Sequence, residues 1–527
     1  MTRGATGTET NGAETIDPKE RQFRSHAGRV SRQASVFFTG TLFTAFAGYL
    51  FKVYVARVVG AEALGVYALG LQVVGFAALF ATLGLPETTA RFVAVYRGTG
   101  RRAEVRRLFL RSLAFLLPAT AVLAAALVLG RHLLAERVFG VPELAAYLPA
   151  FALLLPTSAL IKLCGQFLRG HQEVARRTVV THFVQLPVKI LVTVSLFALG
   201  WRLPGYVAGE VVGQVVTVAL LAVLALRFLP APADGPPPRL GREVAAYAAS
   251  ITGLGFLRFF AGRVDVLLVG VFLTSDRVGI FSIAVATGAF VPTLLTSLNS
   301  IFGPMIAHLH ARGETPMLER LLQTTTKWCL GLTWPLATTL IFFAPVMMGF
   351  FGDEFRAGGT ALAWIVAGQL VNVGVGAVGN LLMMSGHQRL ELAGTGLSAL
   401  LTVTLDLLLI PRWGITGAGV AAAVSLAVAN LWRLWMVRRF LAISPYPRRS
   451  WRLAPPLFLA TAATVGVRFL APGSVPPLAA FFLALAASYG VLLLSAALLA
   501  LDDDDRLILD AVRERVGGWL GGSPTKP

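Results

Sequence analysis

Apolar runs long enough to cross a bilayer recur from one end of this chain to the other, Leu113 to Gly130 and Leu478 to Leu501 among them. They leave few folds open. A spanning helix needs about 20 largely apolar residues. In hydrocarbon every backbone N–H and C=O must be satisfied internally, which leaves helices and closed barrels. No window shows sustained period-two alternation, so helices are expected and strands are not. Composition agrees: 56% of the 527 residues are hydrophobic and 14% charged, where soluble proteins carry about 25% charged residues.

Fourteen apolar spans are expected, near 35–56, 65–95, 108–129, 143–163, 180–199, 206–227, 246–273, 278–307, 321–346, 360–384, 392–409, 417–436, 454–470 and 478–500. The second, seventh and eighth are long, so tilt or local unwinding is expected there. With the N-terminus inside, the inner connections hold 28 of the 46 Lys and Arg and the outer ones hold 7. Arg91, Arg111, Lys162, Arg227, Lys327 and Arg433, near inner helix ends, would snorkel to the interface. This asymmetry places both termini in the cytoplasm. Most of the +19 charge punctuates apolar runs, a pattern of topology control rather than of nucleic-acid binding. Cys164 and Cys329 fall in or beside expected helices and are expected as small buried hydrophobes.

The expected organisation is a basic, disordered cytoplasmic arm (1–33), a six-helix unit (34–229), a cytoplasmic linker (230–243), a second six-helix unit (244–440), two further helices (441–500) and a cytoplasmic tail (501–527). The linker contains PAPADGPPP, a semi-rigid spacer. The tail's LDDDDRLILDAVRERVGGWL suggests a short amphipathic surface helix whose acidic run is a solvated helix start.

The division into two units comes from echoes along the chain. Gly-His-Gln follows span four at His171 and span ten at His387, 216 residues later. Gly65-Val66-Tyr67 opens span two and Gly279-Ile280-Phe281 opens span eight, 214 residues on. Trp201 precedes span six and Trp413 precedes span twelve, 212 apart. Six crossings per unit give both units one orientation, hence parallel repeats about an axis along the membrane normal. The Gly-His-Gln segments themselves are expected as tight structural turns.

Several stretches then carry a resemblance. VARVVGAEALGVYALG (55–70) and GLPETTARFVAVY (84–96) lie in the first half. RVDVLLVGVFLTSDRVGIFSIA (263–284), NLLMMSGHQRL (380–390) and LLLIPRWGITGAGVAAAVS (407–425) lie in the second. Over roughly residues 33–440 the chain resembles the polysaccharide-biosynthesis flippases of the multidrug/oligosaccharidyl-lipid/polysaccharide exporter superfamily. The resemblance implies a two-lobed, V-shaped bundle with a central cavity. It also implies movement of undecaprenyl-pyrophosphate-linked glycans between leaflets by alternating access. The expected fold is an all-α integral membrane protein of about 14 transmembrane helices, two six-helix repeats plus two C-terminal helices.

Ionisable groups inside a membrane are costly and usually face a cavity or a partner. In span seven Thr252, Gly255, Arg258, Gly262 and Asp265 follow helical spacing and are expected on one face. Arg258 would meet a pyrophosphate or sugar acid, because guanidinium matches phosphate oxygens bidentately. Arg263 points elsewhere and would reach the outer interface. Span one offers Thr41, Ala45, Gly48 and Lys52; span five offers Lys189. Glu87 and Arg91 are four apart, in the favourable order for a helical ion pair. Further polar stripes follow: Gln369, Asn372, Gly376 and Asn380; Glu210, Gln214 and Thr217; Thr293, Ser297 and Ser300. The expected cavity set is therefore Arg258, Asp265, Lys52, Lys189, Arg91, Arg263, Gln369 and Asn372. Asp265, Glu210 and Asp406 are the candidate carboxylates for a coupling proton or sodium ion.

No catalytic residue, metal set or cofactor is expected. Gly374 to Gly379 spells a dinucleotide fingerprint, but it lies inside an apolar span without a preceding strand. The outer connections are too short for a catalytic domain, which disfavours a membrane polymerase, ligase or glycosyltransferase. The expected function is a lipid-linked oligosaccharide flippase of a bacterial or archaeal cytoplasmic membrane. The alternatives are a lipid II flippase and a multidrug or cation-coupled exporter. Expected partners are the lipid-linked glycan, membrane lipids, and glycosyltransferases and a polymerase of the same pathway; the protein is expected as a monomer.

Overall fold

A computed structural model of the chain describes residues 18–232, 241–470, 474–499 and 505. Its α-helices in the first half are α1 (Pro18–Thr82), α2 (Leu85–Gly98), α3 (Arg102–Leu129), α4 (Glu143–Gly170), α5 (Val174–Thr178), α6 (Gln185–Ala198) and α7 (Leu203–Phe228). The second half contains α8 (Arg242–Gly262), α9 (Val264–Phe272), α10 (Ser275–Gly288), α11 (Thr293–Ala311), α12 (Thr315–Phe342), α13 (Ala344–Gly349), α14 (Gly359–Val375), α15 (Val378–Met384) and α16 (Gln388–Leu441). Then come α17 (Ala454–Leu470) and α18 (Pro477–Leu499). No strand occurs among the described residues.

Among the described residues ten helices are long and apolar enough to cross a membrane, or eleven if the bent pair α10–α11 is one span. Two of the ten run far past what a bilayer needs: 48 residues from Ser35 to Thr82 and 54 from Gln388 to Leu441. Each is interrupted by one glycine with positive φ, Gly60 (φ 84) and Gly414 (φ 57), where an L side chain would be strained. Large apolar side chains along the spans, such as Leu129, Leu199 and Phe469, stay exposed. That is the surface a lipid solvent requires.

The three spans expected to be long are all interrupted. The second breaks at Leu83 and Gly84, both with positive φ. The seventh breaks between α8 and α9 at Arg263 (φ −142). The eighth bends by 52° between α10 and α11. Span ten also breaks, at Gly376 (φ 77), and the Tyr446 hydroxyl donates to the freed Gly374 carbonyl. These breaks correct two expected faces. Asp265 does not continue the Arg258 face, and Asn380 does not continue that of Gln369 and Asn372. The N-terminal arm is corrected as well: residues 18–33 continue α1 as helix. Linker residues 233–240 and the tail after Leu499, apart from Asp505, lie outside the described residues.

The halves meet where α1, just past Gly60, crosses the start of α10. The crossing is a backbone contact. A Cβ on Gly65 would strike the Ser275 carbonyl, and a Cβ on Gly279 would strike the Ala61 carbonyl. The contact is reciprocal: the 214-residue offset between Gly65 and Gly279 also separates Ala61 from Ser275. Beside it Glu354 accepts the Ala61 amide (2.8 Å), and Arg57 donates to the Phe350 carbonyl (2.9 Å). Around this crossing the core holds Phe151, Phe281, Phe351 and Phe355, all fully buried. α17 and α18 pack on each other and on α12.

Each Gly-His-Gln segment is a turn between helices. His171 caps α4, its Nδ1 3.0 Å from the Phe167 carbonyl, and the chain reverses through Gln172 (φ 64). The second turn reverses at Gly386 (φ 84), with His387 Nδ1 3.1 Å from Ser385 Oγ. Cys164 and Cys329 are buried free thiols.

Candidate cation-lined cavity

A cavity of about 420 Å³ lies between the halves. From the first half of α1 it takes Thr44, Ala45, Gly48 and Lys52; the last three belong to the helical face read from the sequence, whose fourth member, Thr41, lies off the cavity. α6 supplies Leu186 and Lys189, and α7 supplies Tyr206. Ala286, Ala289, Phe290 and Thr293 close it from the α10–α11 bend. The bend opens space here because the chain leaves the helical path between Ala289 and Pro292.

Two of the expected cations meet in this cavity. Lys189 Nζ sits 2.6 Å from Glu210 Oε2, with both side chains largely buried. The Tyr67 hydroxyl donates to the same carboxylate (2.8 Å) and accepts from Lys189 (3.0 Å). Gln214 holds the other Glu210 oxygen (2.9 Å), and Thr157 donates to Gln214 (2.8 Å). The ammonium also lies 4.6 Å from the Tyr206 ring centroid. Glu210, expected as an ion-coupling carboxylate, is thus already neutralised. Lys52 is different. It is half-buried, within electrostatic reach of Lys189, and has no carboxylate partner among the described residues. The cavity therefore carries one uncompensated positive charge, beside the Tyr206 ring and the hydroxyls of Tyr49 and Thr44. Such a site favours an anion.

The remaining expected residues lie off this wall. Arg258 and Arg263 are exposed. Arg91 does not pair with Glu87; its guanidinium stacks on Tyr247 of α8, 4.3 Å from the ring centroid. Gln369 and Asn372 belong to a polar chain within the second half. Asn372 donates to Gln369 (3.2 Å) and accepts from Asn430 (3.0 Å), and Arg433 donates to Asn430 (3.3 Å) and pairs with Glu391 (2.9 Å). Arg433 is therefore bound inside the bundle rather than snorkelling. Lys327 likewise pairs with Asp505, which also accepts from Trp328 Nε1 (2.9 Å). Asp505 is buried, so the acidic run is not wholly solvated.

Two carboxylates stand apart from the cavity, in the second half. Asp265 is buried in the first turn of α9 and accepts from the Val266 amide (2.9 Å). Asp406 is fully buried in α16 and neither of its oxygens has a hydrogen-bond partner. The two lie within electrostatic reach of each other.

Sequence reasoning missed Tyr67, Tyr206 and Thr157 as partners of the Lys189–Glu210 pair. A signal was present. Lys189 and Glu210 stand at nearly equal distances either side of the turn between α6 and α7, which sets them at one depth in a helical hairpin.

Comparison with known proteins fits this architecture. The fold is similar to that of a solved lipid II flippase, MurJ, in an inward closed conformation. That likeness has a TM-score of 0.68 and 13% identity, over 88% of this chain and 98% of that one. The inward-facing form of a multidrug resistance transporter of the MATE family, in the MOP superfamily, gives a TM-score of 0.60 at 15% identity, over 78% and 98%. In sequence, 205 residues are 26% identical to the Haloferax volcanii protein described as "Probable low-salt glycan biosynthesis flippase Agl15". The match spans 38% of this chain and 43% of that protein, less than half of its length. The family model described as "Polysaccharide biosynthesis protein" matches residues 30–310, more than half of the chain. On that match, the chain belongs to the polysaccharide biosynthesis protein family.

Proposed function

We propose that this protein is a flippase that carries undecaprenyl-pyrophosphate-linked oligosaccharide across the cytoplasmic membrane by alternating access. The observation that carries the reading is the uncompensated Lys52 in a cavity between the halves. An ammonium without a carboxylate is costly inside a membrane, even half-buried. A phosphate-bearing headgroup would relieve that cost while its prenyl tail stays in lipid. An exporter of cationic drugs would gain nothing from this charge. Family membership and the sequence likeness to a glycan flippase support the same reading. Lipid II shares the pyrophosphate chemistry and differs in its glycan, so a lipid II flippase is the second reading.

On this reading the chain crosses the membrane fourteen times, with the Gly60 and Gly414 breaks each joining two spans and both termini cytoplasmic. The reciprocal Gly65–Gly279 crossing supports two six-helix repeats about a central axis. The repeats rock so that this crossing closes in one state and parts in the other, exposing the cavity to each leaflet in turn. Asp406, with Asp265 in electrostatic reach, takes the coupling proton or cation, because a buried carboxylate without hydrogen bonds must be neutralised. The protein acts as a monomer beside the glycosyltransferases and polymerase of its pathway and is not itself an enzyme.

The test is a deletion strain assayed for surface polysaccharide and for prenyl-pyrophosphate-linked intermediates. Wild type, Lys52→Gln and Arg258→Ala are restored separately. Surface glycan lost on deletion, intermediates accumulating, and rescue by wild type and Arg258→Ala but not Lys52→Gln is the expected result. Unchanged glycan with reduced efflux of a cationic dye would sink the reading.

A further inference from the structure

A second cavity, of about 430 Å³, opens at the end of the bundle that holds the Gly65–Gly279 crossing. Three arginines line it from three separate parts of the chain: Arg57 at the end of the first span, Arg356 from the loop between α13 and α14, and Arg468 of α17. Its other walls are apolar and include Val346, Pro477 and Leu478.

Each guanidinium is positioned, yet most of its donors stay unused. Arg57 stacks on the Phe350 ring, 5.1 Å from its centroid, and spends only Nε on the Phe350 carbonyl. Arg356 lies across Gly349 and pairs with Asp353 at 3.0 Å, both side chains being well exposed. Arg468 stacks 5.7 Å from the Phe343 centroid. Neither Arg57 nor Arg468 has a carboxylate partner among the described residues. Of the nearby acids, Asp353 is taken by Arg356 and Glu354 by the Ala61 amide. The cluster is a net cation with free, fork-shaped donors, the geometry that binds phosphate oxygens bidentately.

Its position makes the cluster unusual. Arg57 and Arg356 are two of only seven Lys and Arg in the connections assigned to the outer side. Topology disfavours basic residues there. Their convergence with Arg468 on one cavity needs another reason, and an apolar wall beside them suits a lipid tail.

We propose that this cavity is a lipid-phosphate site at the outer interface, where the three guanidiniums hold the phosphate groups of a membrane lipid while its tail lies against Val346 and Leu478. The inference rests on the flippase reading for its orientation. Its ligand is the translocated prenyl diphosphate or an anionic phospholipid headgroup, which share the phosphate chemistry.

The test is native mass spectrometry of the full chain from phosphatidylcholine nanodiscs titrated with undecaprenyl pyrophosphate. Wild type, Lys52→Gln, Arg356→Gln/Arg468→Gln and Asp353→Asn are compared. Wild type is expected to bind two equivalents, one lost in Lys52→Gln and the other weakened at least tenfold in the double arginine variant. Asp353→Asn frees Arg356 and is expected to tighten the second site severalfold. Adding phosphatidylglycerol separates the sources: competition at the second site assigns it to phospholipid, and no competition assigns it to the prenyl diphosphate. A second equivalent that the double variant binds as wild type does overturns the proposal. So does a single equivalent removed by Lys52→Gln, which leaves the flippase reading standing. A single equivalent kept by Lys52→Gln and lost in the arginine variant does the reverse, and no binding at all sinks both. Should the double variant not fold, Asp353→Asn decides, and unchanged affinity overturns the site.

Discussion

Gly279→Ala tests whether the crossing of α1 and α10 is the closed contact of a moving bundle. The added Cβ would stand 2.9 Å from the Ala61 carbonyl carbon and 3.0 Å from the Gly65 amide nitrogen, with the Ala61 oxygen nearer still. These are backbone atoms of a packed helix and have no rotamer to escape into. Ordinary carbon contacts lie at ~3.5–4.0 Å, so the two helices must part by on the order of 1 Å. Overpacking of this kind costs roughly 1–3 kcal/mol. If the contact exists in only one state of the transport cycle, the whole cost falls on that state. A bias of 1–3 kcal/mol moves an equilibrium by roughly 5–150-fold. Ala289→Cys on the cavity wall reports the shift through labelling by a charged maleimide added from the outer side; the native cysteines are buried. Labelling of Ala289→Cys is expected to rise about tenfold in the Gly279→Ala background, since ~1.4 kcal/mol is a factor of ten. Gly396→Ala, a helical position with no atom within 4 Å of the added methyl, is the control and leaves labelling unchanged. Folded Gly279→Ala protein that labels as wild type does would refute the reasoning.

Three further predictions follow from single contacts. Lys189→Met leaves Glu210 buried and unpaired and is expected to lower stability by roughly 3–5 kcal/mol, most of it recovered in Lys189→Met/Glu210→Gln; thermal unfolding in nanodiscs checks both. Asp406→Asn removes a charge with no hydrogen-bond partner, so it is expected to fold at least as stably as wild type and to lose any stimulation of transport by sodium or a proton gradient; retained stimulation would exclude Asp406 from coupling. Burial holds the His171 imidazole below its ordinary range. Above about pH 6.5 both folded and unfolded chains carry it neutral and it contributes no pH dependence. As pH falls through that value the unfolded chain takes up the proton first, so wild type loses stability on acidification. His171→Asn is expected to lose less between pH 7 and pH 5, as read by unfolding midpoints.

Periodicity was enough to read the helical class, because a lipid solvent forces each span to be apolar and internally bonded. The three over-long spans announced their own breaks. The Gly60 and Gly414 breaks lay hidden in short links, and the Gly376 break lay inside an apolar run, where a φ reversal leaves no mark on hydropathy. At the candidate site, the face of Ala45, Gly48 and Lys52 was legible because it sits on unbroken helix. The face of Arg258 and Asp265 was not, because Arg263 interrupts the helix between them. Glu210 read as a free carboxylate because its partner, Lys189, comes from the neighbouring helix. Pairings across helices depend on rotation about each axis, which one sequence leaves open.

The central claim is that an anionic lipid-linked glycan passes through the cavity that Lys52 charges. Its most direct test is the initial rate at which purified protein in liposomes moves undecaprenyl-pyrophosphate-linked oligosaccharide between leaflets, wild type against Lys52→Gln. A charge-assisted contact is worth ~1.5–3 kcal/mol, so the variant is expected to be slower by about tenfold or more. Equal rates in the two proteins, or a wild type that leaves the lipid in place while exporting a cationic dye, would contradict the account.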